Sequence, residues 1–260
     1  MNAERIARTE QAREARSRPL LARYSLTVAG GSVCAQTPDH WGNRWMGAGL
    51  HGPVANAHID CAEAFWYSHG VTGSVTTCPW THSSLVEHLS RRGYRVTRTL
   101  QAWARAVGPL PASVPLGSGV SIHRVDPDNP IECMHHISQM AWGFGQANVR
   151  VPAVDVEVGY RVITHPMSSG FLARRGDQVI GASTLECRED QAAFFGSVVV
   201  DQERRKGIQH AFFRHRMRVA MDLGATTAVV TGEPGSTTSR TAERLSFEHV
   251  YDTQTWTREG

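Results

Sequence analysis

The chain is 260 residues long, carries 27 Lys+Arg against 24 Asp+Glu for a formal net charge of +3, and is 41% hydrophobic. That length holds one large domain or two ordinary ones, and so slight a positive excess gives no ground for a nucleic-acid partner. Cys34, Cys61, Cys78, Cys133 and Cys187 are scattered, odd in number and without a C-x-x-C pair, which argues against a disulfide framework or a zinc site and for reduced, mostly buried thiols.

The N-terminal segment is crowded with Arg and Glu and has no apolar core, so it is not a signal peptide. No run approaches the ~20 apolar residues that span a bilayer. A cytoplasmic protein without a membrane partner is the expectation. Residues 2–17 read as a highly charged helix whose mixed signs predict a solvated surface. Strand character follows over 24–33 and 45–50, with Gly30-Gly31 as a turn. A helix over 57–69 begins after the cap candidate Asn56 and sets Ile59, Ala62, Phe65 and Trp66 at helical spacing. Then come a strand over 71–77, a helix over 83–89 and an extended segment over 94–106. The Pro- and Gly-rich stretch 108–119 predicts a linker, with one domain over 1–107 and another over 120–260.

The second half opens with a strand over 120–125 and two helices, 130–142 and 153–164. His135 and His136 are adjacent on the first of these and point about 100° apart, which suits no shared metal ion. A hairpin of 171–174 and 179–187 turns at Gly176-Asp177. A buried strand over 192–200 ends in Val198-Val199-Val200. The basic turn Arg204-Arg205-Lys206-Gly207 leads into a helix over 208–223, with Ile208, Phe212, Val219 and Leu223 on one face and Gly224 as its C-cap. The free N–H groups at the start of that helix, the glycine and the neighbouring cations together describe a pyrophosphate cradle. A strand over 225–231, the turn around Glu233, a short helix over 239–245 and a final β stretch through Tyr251 and Trp256 complete the chain.

This order of elements resembles the GNAT N-acetyltransferase superfamily. Its coenzyme A signature, Gln/Arg-x-x-Gly-x-Gly/Ala at a helix start, stands here as Arg204-x-x-Gly207-x-Gln209. Gln101, Trp103 and Arg105 follow Gly93-Tyr94 at the same offsets as Gln254, Trp256 and Arg258 follow Ser246-Phe247, which reads as an internal duplication. Arg44-x-x-Gly47-x-Gly49 also matches the signature, but in a strand and out of register with the duplication.

The resemblance implies an α/β (α+β type) protein of two GNAT-like domains in tandem, each a mixed, mainly antiparallel sheet flanked by helices, the first degenerate. It implies acetyl-CoA as cosubstrate, no metal, and direct attack by an amine on a small molecule or peptide. The cofactor residues so implied are Val198, Val199, Val200, Arg204, Arg205, Lys206, Gly207, Ile208, Gln209 and Ser239. The loop after the first helix nominates Trp142, Phe144, Gln146 and Tyr160 for the acceptor, with core packing an equal reading for Trp142 and Tyr160. Many relatives carry a tyrosine acid where this chain has Ala242, which leaves Tyr251 or water to protonate the thiolate. Glu233 is the first choice for the base and Glu186 the second. The expected state is a monomer, with the tandem acting as a pseudo-dimer, or a homodimer. A CoA- or partner-binding protein without turnover and an aminoacyl-tRNA-dependent transferase are the alternatives.

Overall fold

Residues 1–111, 116–143 and 150–258 are described by a computed structural model, and they form two compact units. The first comprises Met1–Ala102, Gly232–Ser236 and His249–Gly260; the second comprises Trp103–Thr231 and Thr237–Glu248.

In the first unit, α1 (Ala3–Leu21) is followed by a hairpin of β1 (Tyr24–Val28) and β2 (Gly31–Ala35), then β3 (Arg44–Met46), α2 (Asn56–Ser68), β4 (Ser74–Thr77), α3 (Ser83–Arg91) and β5 (Arg95–Ala106) as far as Ala102. The last strand, β11 (Glu248–Thr257), joins this unit from His249 onward. The strands run in the order β1-β2-β3-β4-β11-β5. The pair β3–β4 is parallel, while β1–β2, β2–β3 and β4–β11 are antiparallel. The expected 45–50 strand stops at Met46, because Gly47 and Gly49 take positive φ of 77° and 73°. Trp45, Ile59, Trp66, Leu85, Leu89 and Trp256 meet in its core.

Helix α1 corrects an expectation. It is not a solvated leader: Ile6, Ala7, Glu10, Gln11, Arg13 and Ser17 are buried, and it packs on β2 and β3. Glu10 and Arg13, one turn apart, close a 2.6 Å ion pair, so the helix buries charge already neutralised. The same helix shuts the second signature match, since a side chain on Gly47 would come within 2.9 Å of the Ala15 Cβ.

The second unit contains β6 (Val120–Arg124), α4 (Pro130–Ala141), α5 (Ala153–Thr164), β7 (Ser168–Arg175), β8 (Gln178–Arg188), β9 (Gln191–Val199), α6 (Ile208–Asp222), β10 (Thr227–Gly232) as far as Thr231, and α7 (Thr237–Arg244). Its strands run β10-β9-β8-β7-β6, with β10 parallel to β9 and the others antiparallel. Asn129 starts α4 by accepting from the Ile131 and Glu132 amides, with Pro130 at the first helical position. Cys133 and Ile137 of α4 and Ile163 of α5 pack with Leu172 and Ala182 on one side of the sheet. Residues of α6 and α7 pack with Phe171, Leu185 and Phe194 in a separate cluster. Gly224 ends α6 at φ 77°, as the sequence predicts. The buried face of α6 differs from expectation: Leu223 is 53% exposed, and the enclosed row runs Ile208, Phe212, Arg216, Ala220.

The units do not divide at 108–119, which lies inside the second. Each core instead takes the tryptophan of the strand that ends the other half of the sequence. Trp103 of β5 packs into the second core and Trp256 of β11 into the first. The paired arginines follow suit. Arg105 donates to the Leu245 carbonyl at 2.5 Å, just before Ser246-Phe247. Arg258 lies over the Tyr94 ring at 5.4 Å, just after Gly93, and pairs with Glu63 at 3.0 Å. The repeated Gln-x-Trp-x-Arg is thus a repeated packing device. Trp256 also donates its indole N–H to Thr77 Oγ1 at 2.9 Å. Trp256→Ala should therefore destabilise the first unit by about 3–5 kcal/mol, read as a lowered denaturant midpoint; a midpoint unchanged from wild type would contradict the exchange of strands.

Candidate functional site

Strand β9 carries one residue more than β8 can match. Ser183 pairs with Ser197 and Thr184 with Phe195, leaving Gly196 unmatched at φ 49°. This is a β-bulge, and it needs glycine twice over, since a Cβ there would also come within 2.3 Å of the Met140 Cε. The bulge coincides with a parting of strands. The parallel ladder between β9 and β10 runs from Gln191/Thr227 to Phe194/Val230 and stops, while β9 continues to Val199.

The direction of the free backbone groups follows from antiparallel alternation. Val200 N–H donates to the Ile180 carbonyl at 3.0 Å, so this facing pair is hydrogen-bonded, and Val198 with Ala182 is the next. The main-chain groups of Ser197 and Val199 between them point away from β8, toward the side from which β10 has withdrawn. Arg204 Nε donates to the Val199 carbonyl at 3.2 Å. The Ser197 and Val199 amides remain as an outward row of donors.

Beyond β9, a single 3-10 turn, Asp201–Glu203, and two left-handed residues, Arg205 at φ 63° and Gly207 at φ 81°, bring the chain into α6. The first intrahelical bond runs from Ala211 N–H to the Gly207 carbonyl, so the Ile208, Gln209 and His210 amides have no partner within the helix. Acidic neighbours hold the basic turn in shape. Arg204 pairs with Asp201 at 2.7 Å, and Glu203 receives Lys206 at 3.3 Å and Arg175 at 2.7 Å. The Arg175 hydrogen bonds, aided by Lys206, hold the Glu203 carboxyl below its usual range. Gln209, where the signature usually has a small residue, accepts from Ser197 Oγ at 2.9 Å and so ties the helix start to β9.

Two enclosed side chains support β8 beside the bulge. His136 of α4 donates Nε2–H to the Ser183 carbonyl at 3.0 Å and lies 3.3 Å from Thr184 Oγ1; burial pushes it down to about 4, so it is neutral. Arg216 of α6 is 1% exposed and donates to the Phe212 and Thr184 carbonyls at 3.3 and 3.2 Å. Its guanidinium lies 4.8 Å from the Phe194 ring and 4.9 Å from that of Phe213, and burial alone pushes it down to about 9. It is still a cation at neutral pH. Nothing in the sequence pattern marked it, because an arginine on a helix normally reads as surface.

The remaining nominated residues fall in several places. Val198, Val199, Val200, Arg204 to Gln209 and Ser239 all belong to the second unit, with Ser239 buried in α7. Trp142 is 40% exposed, and the next residue, Gly143, abuts the Val198 side chain. Phe144 and Gln146 lie outside the described residues. Tyr160 packs against the α4 core and donates to the Pro130 carbonyl at 3.4 Å, in line with its packing role. Glu186 is enclosed on β8, opposite Ala193, with Arg188 Nε 3.5 Å away. Glu233 and Tyr251 belong to the first unit. Glu233 pairs with Arg98 at 2.9 Å. Tyr251 is buried edge-on to Trp80, and burial raises its phenol well above the ordinary value. The first unit also has a polar concavity of about 380 Å³ that includes Trp41, Arg44, Ser74, Arg98 and Arg258. Two of its three guanidiniums already meet carboxylates, Glu233 and Glu63.

No protein-family profile and no curated protein matches the sequence. Solved structures do match the fold. A GCN5-related N-acetyltransferase from Kribbella flavida superposes with a TM-score of 0.71 at 16% identity over 96% of both chains. A tandem GNAT protein from the clavulanic acid biosynthesis pathway gives 0.58 at 14% identity, over 78% of this chain and 69% of that one. A GCN5-related N-acetyltransferase from Sphaerobacter thermophilus gives 0.57 at 13% identity, over 77% and 66%.

His136 gives the unit a defined acid sensitivity. Its folded value of about 4 lies below the ordinary 6.5, so the unfolded chain takes up the proton first as pH falls. Its contribution is fully present above pH 6.5 and is lost progressively down to about pH 4. At about 1.4 kcal/mol per unit the loss reaches about 3 kcal/mol at most. His210 and His215 are lowered too and act in the same sense, so the informative quantity is a difference. Denaturation of wild type and His136→Gln between pH 4 and 7 should give stability curves that converge toward the acid end; parallel curves would contradict the assignment.

Proposed function

We propose that this chain, which has the tandem fold of the GCN5-related N-acetyltransferases, transfers the acetyl group of acetyl-CoA to an amine on a small molecule or peptide. One observation carries the reading: β9 parts from β10 at Phe194 and runs, through an outward row of amides, into the glycine-capped start of α6. The local chemistry fits the cosubstrate. Gly207 leaves the helix entrance without a side chain, and the Ile208, Gln209 and His210 amides suit a pyrophosphate at the positive end of the helix dipole. Arg205 and Lys206 add charge beside them.

Acetyl-CoA supplies an acyl group activated as a thioester. The Ser197 and Val199 amides hold the pantetheine arm as an added strand would be held, and one of them donates to the thioester oxygen as negative charge grows there. Holding the amine and the thioester together replaces a bimolecular encounter with an oriented one. A carboxylate or water takes the proton from the amine, and Glu186, on β8 of the second unit, is the candidate carboxylate. Ala242 offers no proton, so the thiolate is protonated by water. A thiol value of roughly 8.5 makes departure as thiolate feasible near neutrality.

Calorimetry should find one acetyl-CoA per chain, and ~100 Kd of ligand should stabilise the fold by ~2.7 kcal/mol. Gly207→Trp should abolish both signals, while Gly47→Ala should leave the stoichiometry unchanged. Two sites per chain, or binding undisturbed by Gly207→Trp, would contradict the assignment. Thiol release across an amine library then tests turnover. With the best acceptor, Glu186→Gln should slow release near neutral pH by ~10²-fold and recover at higher pH, where the amine is already free. An unaffected rate would pass the role to water.

A further inference from the structure

We infer that Arg216 is a positioning residue for the reaction, a buried cation that holds the β9 bulge open and raises the donor strength of the amides beyond it. The inference rests on the acetyl-CoA reading above. Arg216 occupies the third place in the row Ile208, Phe212, Arg216, Ala220, all enclosed, where an apolar side chain is the ordinary solution. Burial is what shifts it, and among the described residues no carboxylate acts on it and Nη2 has no acceptor. A lone charge in such a place opposes folding.

Besides the Phe212 carbonyl and Phe213 ring of its own helix, this guanidinium touches two points where β9 departs from its neighbours. Alternation along β8 turns the carbonyls of Ile180, Ala182 and Thr184 toward β9. Thr184 faces the bulge, where the extra residue breaks the ladder, and Arg216 Nη1 donates to that carbonyl. The Phe194 ring that Arg216 covers belongs to the last β9 residue paired with β10. The arginine thus supplies a donor at the broken rung and fixes the ring at the point of parting. Its charge, little screened in the core, also biases the Ser197 and Val199 amides toward a negative oxygen. A core position that gives up stability to keep a charge next to a strained strand is a functional compromise.

The test uses the full chain with Arg216→Met, which keeps length and removes charge, and Arg216→Lys, which keeps charge and loses the fork. Three quantities are read: melting temperature, acetyl-CoA affinity with kcat, and single-amide exchange over Phe195–Val199 without ligand by NMR. Arg216→Met should melt no lower than wild type, bind acetyl-CoA within ~3-fold, lose at least ~10-fold in kcat, and exchange at least ~10-fold faster at those amides. That kcat effect sits below the 10²–10³ of a direct oxyanion donor. Arg216→Lys should recover part of kcat. A variant that melts lower yet keeps wild-type kcat and exchange would make Arg216 merely structural and overturn the inference. If wild type binds no acetyl-CoA, the functional reading fails by itself, while the exchange arm still decides whether Arg216 holds the bulge. An unchanged exchange pattern overturns it there too.

Discussion

The second unit depends on a single surplus residue. Gly196 adds one position to β9 that β8 cannot match, and a sheet accommodates such a mismatch only by bending the longer strand. The bend coincides with the end of the parallel ladder to β10 and leaves the amides of Ser197 and Val199 facing away from their neighbour. Unpaired backbone groups inside a protein carry a cost unless something meets them, and an exposed strand edge invites a partner. A pantetheine arm, with its own amide groups, is such a partner. The turn beyond, tied by Asp201 and Glu203, delivers the same strand to the start of α6. Edge and helix start are thereby consecutive parts of one stretch of chain.

Support for the bulge is polar where a core is ordinarily apolar. His136 is kept neutral by burial and bonded to a carbonyl of β8, so it costs little at neutral pH. Arg216 keeps its charge among phenylalanines. The contrast separates a satisfied polar residue from one that opposes folding, and only the second calls for an explanation outside stability.

Much of this was legible in the sequence. The β-branched run Val198-Val199-Val200, the glycine after the basic turn and Gly224 marked strand, turn and helix, and the structure has all three. The duplicated Gln-x-Trp-x-Arg was visible as well. Its consequence was not: local pattern says that Trp103 and Trp256 want burial but not which core receives them, so the expected boundary at 108–119 missed the exchanged strands. Sequence alone misplaces helix α1, because mixed charge describes a solvated face and a neutralised buried one equally well; the Glu10–Arg13 pair decides between them. Glu233 illustrates the same limit at a candidate site, since its Arg98 partner lies 135 residues away in sequence. Arg216 broke the expected face of α6 because periodicity assigns an arginine to solvent, and only contact with Phe194 and Thr184 reveals otherwise.

The claim that one stretch of chain, from the bulge to the start of α6, holds the cosubstrate can be read directly by hydrogen–deuterium exchange with and without acetyl-CoA. The account predicts that added ligand slows exchange at Ser197 and Val199 and at Ile208, Gln209 and His210, with the Arg44–Gly49 stretch of the first unit unaffected. Protection that leaves these five amides untouched, or that appears at Gly47 and Gly49 instead, would contradict it.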